Sequence, residues 1–440
     1  MAVGPVKAMA PATAAARGGS EGPWDLAHYL DTCATTPPCQ AALEAMAAAA
    51  PLVWANPSSL HGFGLAAAEA LERSRCSLAH HLGAQPDEVV WCSGGTEAIQ
   101  MALLGLAAQL PVGRLVISAV EHPATEMAAA RLQQQGWQLA RLPVDRHGLV
   151  CLEQLEELLQ PPTRLMSLIW GQSEVGSLQP LETIAAQCRR AGVSLHVDAV
   201  QVVGHQPIDF ASLPVDLLSC AAHKLQGPRG IGALLVRRGL NLQPLLGGSQ
   251  EAGRRGGTES VLLAVGFAAA LAAAQDRLQQ HGGLDPLADL RDGLLQHLSS
   301  LPGLRLSGPQ ADSAARLPHH LSLLVSTAAG RPLAGRALVR ALWRQGYAVS
   351  SGSACSALKA SAQGGGPNAG AGLGGAASGA ASGAASGAAS PILLAMGYGP
   401  EEAASGLRLS LGPWHRAADL EALPQALERA RQEVAAAAPL

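Results

Sequence analysis

The feature that most constrains this chain is a repeating switch between short, β-rich apolar runs and longer helical stretches. Glu88-Val-Val-Trp-Cys reads as a strand and Glu97 to Gln109 as a helix. Arg114-Leu-Val-Ile-Ser is strand-like, Glu153 to Leu159 helical, Arg164 to Trp170 a strand and Leu181 to Ala191 a helix. Val193 to Asp198, Val215 to Cys220 and Gly232 to Arg237 read as further strands. Strands that alternate with helices need crossover connections, so the pattern predicts an α/β fold with a mostly parallel sheet covered by helices. Ligands in such sheets sit at the carboxyl ends of the strands. The residues just past each strand are therefore the first candidates for a site.

The pattern changes near residue 285. Helical stretches then dominate, with one strand-like run at His320 to Ser326. This predicts a large domain over 26–285 and a smaller α/β domain over 286–440, with the first residues of the large domain packing on the small one. Residues 1–25 are rich in Ala and Gly, with Lys7 and Arg17 and no acid before Glu21. They read as a disordered extension, with a transit peptide as the alternative. Residues 364–390 end in Gly-Ala-Ala-Ser units starting at Gly375, Gly379, Gly383 and Gly387. A segment with no charge and almost no large apolar side chain cannot offset its ordering entropy, so a flexible insertion is expected.

Charge narrows the function classes. Lysine and arginine total 30 against 33 acids, a net charge of -3 with both signs mixed. That offers no electrostatic case for nucleic acid or a membrane surface. The apolar run Val261 to Ala274 is shorter than the ~20 residues a bilayer needs and reads as a buried helix. Eight cysteines lie scattered with no Cys-x-x-Cys pair. This argues for a reducing compartment, without a disulfide framework or a zinc site. The cytoplasm is the expected location, and residues 1–25 keep an organelle open. Cys33, Cys39, Cys76, Cys92, Cys151, Cys188 and Cys220 read as small buried hydrophobes.

Six segments carry candidate chemistry. Ser93-Gly94-Gly95-Thr96-Glu97 follows a strand and opens a helix, where free N–H groups and the helix dipole favour an anion such as phosphate. An ordinary threonine N-cap is the alternative. Asp198 ends a strand in Leu195-His196-Val197-Asp198-Ala199-Val200-Gln201, a place suited to pairing with a protonated pyridine ring or to capping a turn. His223-Lys224 lies between a buried strand and Gly227-Pro228-Arg229-Gly230. Desolvation there lowers a lysine's pKa and leaves an amine suited to a Schiff base, against the alternative of a snorkelling lysine. Glu121-His122-Pro123 follows a strand, and His122 can stack on a flat cofactor and shuttle protons or simply face solvent from a loop. Ser350-Ser351-Gly352-Ser353-Ala354-Cys355-Ser356 presents one thiol on a small-residue loop, either reactive or incidental. Arg408, between leucines on a half-buried strand, offers a fork for a carboxylate.

In this order these segments resemble the cysteine desulfurases, the class-V branch of the fold-type-I pyridoxal-phosphate enzymes. The likeness runs from Tyr29-Leu30-Asp31 through Ala34-Thr35-Thr36-Pro37 to Leu411-Gly412. It includes Asn56-Pro57-Ser58-Ser59, Glu174-Val175-Gly176 and Gly247-Gly248 through Gln250-Glu251 to Gly257-Thr258. The resemblance implies that Lys224 holds pyridoxal 5'-phosphate, Asp198 pairs with the ring nitrogen, Gln201 bonds the ring hydroxyl and His122 stacks on the ring. It implies phosphate binding by Gly95, Thr96 and His223, with Thr258 arriving from a second subunit of a homodimer. It gives Ser173 and Arg408 to the substrate L-cysteine, and makes Cys355 the acceptor of sulfur bound for an unidentified acceptor protein. Four departures stand out: Ala221 where the family has Ser, Gln172-Ser173 where it has Asn-Asn, Gly256 where it has Ser, and the long insertion after Cys355. A selenocysteine lyase, another class-V lyase or aminotransferase, and a catalytically degenerate scaffold for sulfur transfer are the competing readings.

Overall fold

The computed structural model describes residues 25–310, 313–352 and 389–437. The extension at residues 1–24, Cys355 and the Gly/Ala/Ser segment up to residue 388 lie outside the described residues.

Among the described residues, one sheet contains β1 (Val89–Cys92), β2 (Arg114–Ser118), β3 (Gln138–Leu142), β4 (Thr163–Ile169), β5 (Ser194–Asp198), β6 (Leu217–Ala221) and β7 (Gly232–Val236). Their order is β1-β7-β6-β5-β4-β2-β3. The pairs from β6 through β5, β4 and β2 to β3 are parallel, while β7 runs antiparallel to β6 and β1. The expected mostly parallel α/β sheet is therefore present. Strands β1, β6 and β7 are buried at every position, as strands covered on both faces should be. Edge strand β3 and the helix before it escaped the sequence reading. Its residues Gln138-Leu-Ala-Arg-Leu are exposed or partly exposed except Leu142, and mixed in polarity.

The helices of this body are α1 (Gln40–Ala49), α2 (Gly62–His81), α3 (Gly95–Ala107), α4 (Pro123–Gln134), α5 (Leu155–Leu158), α6 (Leu181–Ala191) and α7 (Val261–Gln280). Helix α4 starts where His122 accepts the Ala124 N–H at 3.1 Å and Pro123 takes the first helical position, a place where its missing N–H costs nothing. Helix α7 is 20 residues long, so the shorter apolar run understated it; by length and composition it would suffice to cross a bilayer. Here its apolar face, with Ala264, Phe267 and Leu271, is buried in the main core with Ala67, Ala70 and Leu71 of α2. Burial against alanine-rich neighbours accounts for its apolarity.

A second core gathers Leu294 and Leu298 of α8 (Leu287–Ser299), Leu338 and Leu342 of α9 (Gly335–Arg344), and the strands β8 (Leu304–Leu306), β9 (His320–Val325) and β10 (Gly406–Ser410). These strands form an antiparallel sheet in the order β10-β9-β8. Leu30, from the start of the described chain, is fully buried in this second core. Two short helices, α10 (Pro391–Ala395) and α11 (Pro400–Ala403), place Ile392, Leu393 and Ala403 in the main core instead. Ser390, taken above as the end of the insertion, accepts the Leu393 N–H at 3.1 Å and caps α10. Two further helices, α12 (Ala417–Leu420) and α13 (Leu423–Ala437), close the described chain.

One buried ion pair anchors the loop after β7. Glu251 receives Arg75 through two bonds of 2.8 Å and the Trp91 N–H at 2.8 Å. It does so with its own backbone at φ 49°, a left-handed conformation that an ordinary residue adopts only when its surroundings hold it there. Removing Glu251 would strip the mostly buried Arg75 of its buried counter-ion and leave it only the exposed Glu72, at 3.1 Å, as a carboxylate partner. Glu251→Ala is therefore expected to destabilise the protein by about 3–5 kcal/mol in denaturant titration.

Candidate active site

Strands β1, β2, β4, β5 and β6 point the same way, so their carboxyl ends meet along one edge of the sheet. A cavity of about 230 Å³ lies there. From the turn after β1 come Gly95 and Thr96; after β2, His122; after β4, Ser173; from β5 and just after it, Asp198 and Gln201; after β6, His223 and Lys224. Arg408 reaches the same cavity from β10 of the second core.

Lys224 stands at the centre. Its Nζ donates to the carbonyls of Cys33 at 2.5 Å and Ala34 at 2.9 Å. Burial lowers its pKa, with Arg408 adding to the effect and the acids nearby opposing it. Asp198 is buried, and its Oδ1 accepts the Val200 N–H at 3.0 Å. Burial pushes its carboxyl up, while His122 and Lys224 pull it down. His122 is held below its ordinary pKa by burial. Because its Nδ1 accepts the Ala124 N–H, its proton sits on Nε2. Gln201 donates from Nε2 to the Cys33 carbonyl at 3.0 Å.

The anion end is the start of α3, where no side chain caps the helix. Gly95 is required by close approach, since a Cβ there would sit 2.8 Å from Val200 Cγ2. Thr96 is exposed beside it. Across from it His223 is pushed down to about 4 by burial, with Lys224 and Arg229 assisting. A neutral His223 bonds Thr35 through Nδ1 at 3.1 Å. An uncapped helix N-terminus, a buried amine and a buried acid around one cavity suit a phosphorylated pyridine aldehyde. The helix N–H groups would suit its phosphate, Lys224 its aldehyde and Asp198 its ring nitrogen.

At the other end Arg408 is only 2% exposed, so its strand is fully buried and not half-buried as its leucines suggested. Its Nη1 donates to the Ser173 carbonyl at 2.9 Å, which also contacts His320 Nε2 at 3.1 Å. Ser173 thus holds Arg408 through its backbone carbonyl and also lines the cavity. Ser350, on the chain leading to Cys355, pairs its N–H and carbonyl with Arg408 at 3.1 and 2.7 Å.

Thr258 is exposed and does not line this cavity. Gly256 explains itself: a Cβ there would lie 2.1 Å from the Gly247 carbonyl oxygen, so serine has no room. Cys76 is exposed on the outer face of α2, and Cys39 and Cys151 are partly so; only Cys33, Cys92, Cys188 and Cys220 are buried as expected. Cys33 was also more than a small hydrophobe, because its carbonyl holds both Lys224 and Gln201. The Ala34-Thr35-Thr36 run was the available signal, since polar residues beside a buried strand need partners.

The fold and cavity define a lysine enzyme of the pyridoxal-phosphate type. The aminotransferase class-V family matches residues 28–373, and the chain belongs to that family, whose members are pyridoxal-phosphate dependent. It is 36% identical over 332 residues to the cysteine desulfurase IscS of Dictyoglomus turgidum, covering 74% of this chain and 82% of that one. It is 32% identical over 412 residues to the cysteine desulfurase IscS of Methanosarcina thermophila, covering 92% and 93%. A solved NifS-like protein superposes with a TM-score of 0.77 at 28% identity, over 92% of this chain and 99% of that one. Within its family the chain falls among the cysteine desulfurases.

Two expectations follow. Ala221 lies beside Gly95, with its Cβ 3.7 Å from where a Gly95 Cβ would stand. Ala221→Ser would add a hydroxyl at the anion end, and equilibrium dialysis should show pyridoxal phosphate bound about ten- to hundredfold tighter, as one hydrogen bond to a charged group allows. The second concerns Glu121, fully enclosed, whose Oε1 accepts Ser118 Oγ–H at 2.6 Å and Ile169 N–H at 2.8 Å while Oε2 has no partner. Burial pushes its carboxyl up to about 8 from 4.5. Between those pH values the folded chain keeps a proton that the unfolded chain has released, so this group's stabilisation is lost as pH rises. Glu121→Gln needs no such proton. Urea titrations should show the stability difference moving in favour of the variant between pH 5 and pH 9.

Proposed function

We propose that this protein converts L-cysteine to L-alanine and places the released sulfur on Cys355 as a persulfide, for delivery to an acceptor protein. The observation that carries the reading is a single cavity lined by Lys224, Asp198, His122 and Arg408, in a chain whose relatives are named cysteine desulfurases.

Pyridoxal phosphate, when bound, supplies an aldehyde for amine exchange and an electron-withdrawing ring. Gly95, Thr96 and His223 would hold its phosphate, Asp198 its ring nitrogen, Gln201 its ring hydroxyl, and His122 would lie against the ring. Arg408 binds the carboxylate of L-cysteine with charge-assisted bonds. The Lys224 amine, its pKa lowered by burial, takes the Cα proton and returns a proton to carbon. Its neighbours, the Cys33 and Ala34 carbonyls, orient it for both. The Cys355 thiolate attacks the substrate sulfur. The C–S bond breaks, an S–S bond forms, and L-cysteine plus the thiol become L-alanine plus the persulfide. The last described residue on the way to Cys355 is Gly352, where an added Cβ would lie 3.3 Å from the Glu174 carboxyl group. Ser350, two residues earlier, is paired to Arg408. Ser350, five residues before Cys355 in sequence, thus ties the start of that segment to the carboxylate end, which supports Cys355 as the sulfur acceptor.

Thr258 serves a second subunit in this reading. Its exposure supports that, as do Leu52, Trp54, Leu60, Phe63 and Leu65, all more than half exposed within one short stretch. Apolar surface of that extent favours burial against a second copy. We place the protein in the cytoplasm, a reducing compartment that suits the unpaired cysteines among the described residues.

The test measures alanine and sulfur from L-cysteine together with the absorbance of the purified protein. Wild type should form both in equal amounts. Lys224→Ala should lose the Schiff-base absorbance band near the edge of the visible range and all turnover. Cys355→Ser should keep the band but lose sulfur transfer to an added thiol acceptor. Full transfer by Cys355→Ser would remove Cys355 from the mechanism.

A further inference from the structure

Arg408 is the cation that the proposed reaction gives to the substrate carboxylate, and it already bonds a carboxylate of this chain. Its Nη2 donates to Asp31 Oδ1 at 2.5 Å. The two side chains differ in freedom: that of Arg408 is 2% exposed and that of Asp31 is 21% exposed. Arg408 is fixed on β10, where Ser350 holds its backbone on one side and Ser322 of β9 pairs with it on the other. Ser173 takes its Nη1, and its Nε is buried without a partner. The backbone at Asp31 is held as well, since it bridges to Ser410 and its carbonyl accepts the Tyr29 hydroxyl at 3.2 Å. Its carboxylate, by contrast, makes the Arg408 bond and faces partly outward. Of the pair, Asp31 is the member that can give way.

We propose that Asp31 is the exchangeable counter-ion of Arg408, and so a residue that sets affinity for the substrate carboxylate. This rests on the desulfurase reading for the identity of the substrate, though not for the exchange itself. An arginine paired to an acid presents little net charge to a third group. An incoming carboxylate trades one charge-assisted bond for another, so the net gain is small. The same exchange runs backward when product leaves: the Asp31 carboxylate returns to Arg408 as the carboxylate of L-alanine departs. The buried guanidinium is thereby never left without an anion, a state that costs far more than either pairing.

Asp31→Asn tests this, because asparagine keeps the acceptor oxygen and removes the charge. The probe is sodium propionate, a carboxylate without an amine, titrated into the cofactor-loaded full-length protein at constant ionic strength with chloride as the control. Asp31→Asn should melt at a lower temperature than wild type without propionate. Propionate should raise its melting temperature more than it raises that of wild type, with a dissociation constant about tenfold lower. The KM for L-cysteine should fall by a similar factor with no rise in kcat. Asp31→Glu, which keeps the charge, should stay within about twofold of wild type in propionate affinity. Should Asp31→Asn fail to fold, Asp31→Ser carries the same comparison. Propionate affinity equal to or weaker than that of wild type in the uncharged variant would overturn the proposal and leave Asp31 a passive brace. Failure of the wild type to make alanine from L-cysteine would instead defeat the desulfurase reading and leave the propionate comparison standing.

Discussion

Six residues, Asp31 to Thr36, tie the two cores together at Lys224, and the geometry of the site depends on them. On one side the Cys33 N–H bonds Ser410 Oγ at 3.0 Å and Thr32 Oγ1 bonds the Leu411 carbonyl at 2.9 Å. On the other the Thr36 N–H and hydroxyl both reach the His223 carbonyl at 2.9 Å. Between them the Cys33 and Ala34 carbonyls receive Lys224. A segment without regular structure can sit this deep only if its backbone groups all find partners. Here the partners are the groups that do the chemistry. Satisfying this backbone and orienting Lys224, Gln201 and Arg408 are one requirement met by one set of bonds.

Burial then sets the charges. It lowers Lys224, His122 and His223 and raises Asp198, each toward its neutral form, as desolvation must. Opposing charges restore what the reaction needs. Lys224 and His122 pull Asp198 back toward the anion, and Asp198 in turn favours a charged Lys224. Desolvation and opposite charge therefore act against each other on Lys224 and Asp198 within one cavity.

The parallel sheet was legible because buried strands declare themselves as apolar runs, and the site because catalytic residues follow such strands directly. Gly95, Thr96, His122, Asp198, His223 and Lys224 were found by that rule and Gln201 through the family resemblance, and all line the cavity. What escaped has a physical reason in each case. Strand β3 lies at an edge, where polarity is mixed. The roles of Cys33 and Ala34 reside in carbonyls, which a side-chain reading does not see. Arg408 looked half-buried because leucines on alternate positions of a strand suggest one exposed face, whereas β10 is covered on both. Asp31 stood in a matched segment, but its partner is 377 residues away in sequence.

The departures from the family pattern now separate by mechanism. Gly256 is a packing solution, since the Gly247 carbonyl occupies the space a side chain would need. Ser173 holds Arg408 through its carbonyl, which any residue supplies, and its side-chain change falls at the substrate end of the cavity. Ala221 alone gives up a donor near the anion end, and it does so beside an uncapped helix N-terminus that retains its own N–H groups. None of the three lies at an atom that makes or breaks a bond. The departures therefore bear on how tightly cofactor and substrate would be held, and Lys224, Asp198 and Arg408 keep the positions that the cavity imposes. A degenerate scaffold would have no reason to keep Lys224, Asp198 and Arg408 aimed into one space, with the buried charge of each held in check by its neighbours.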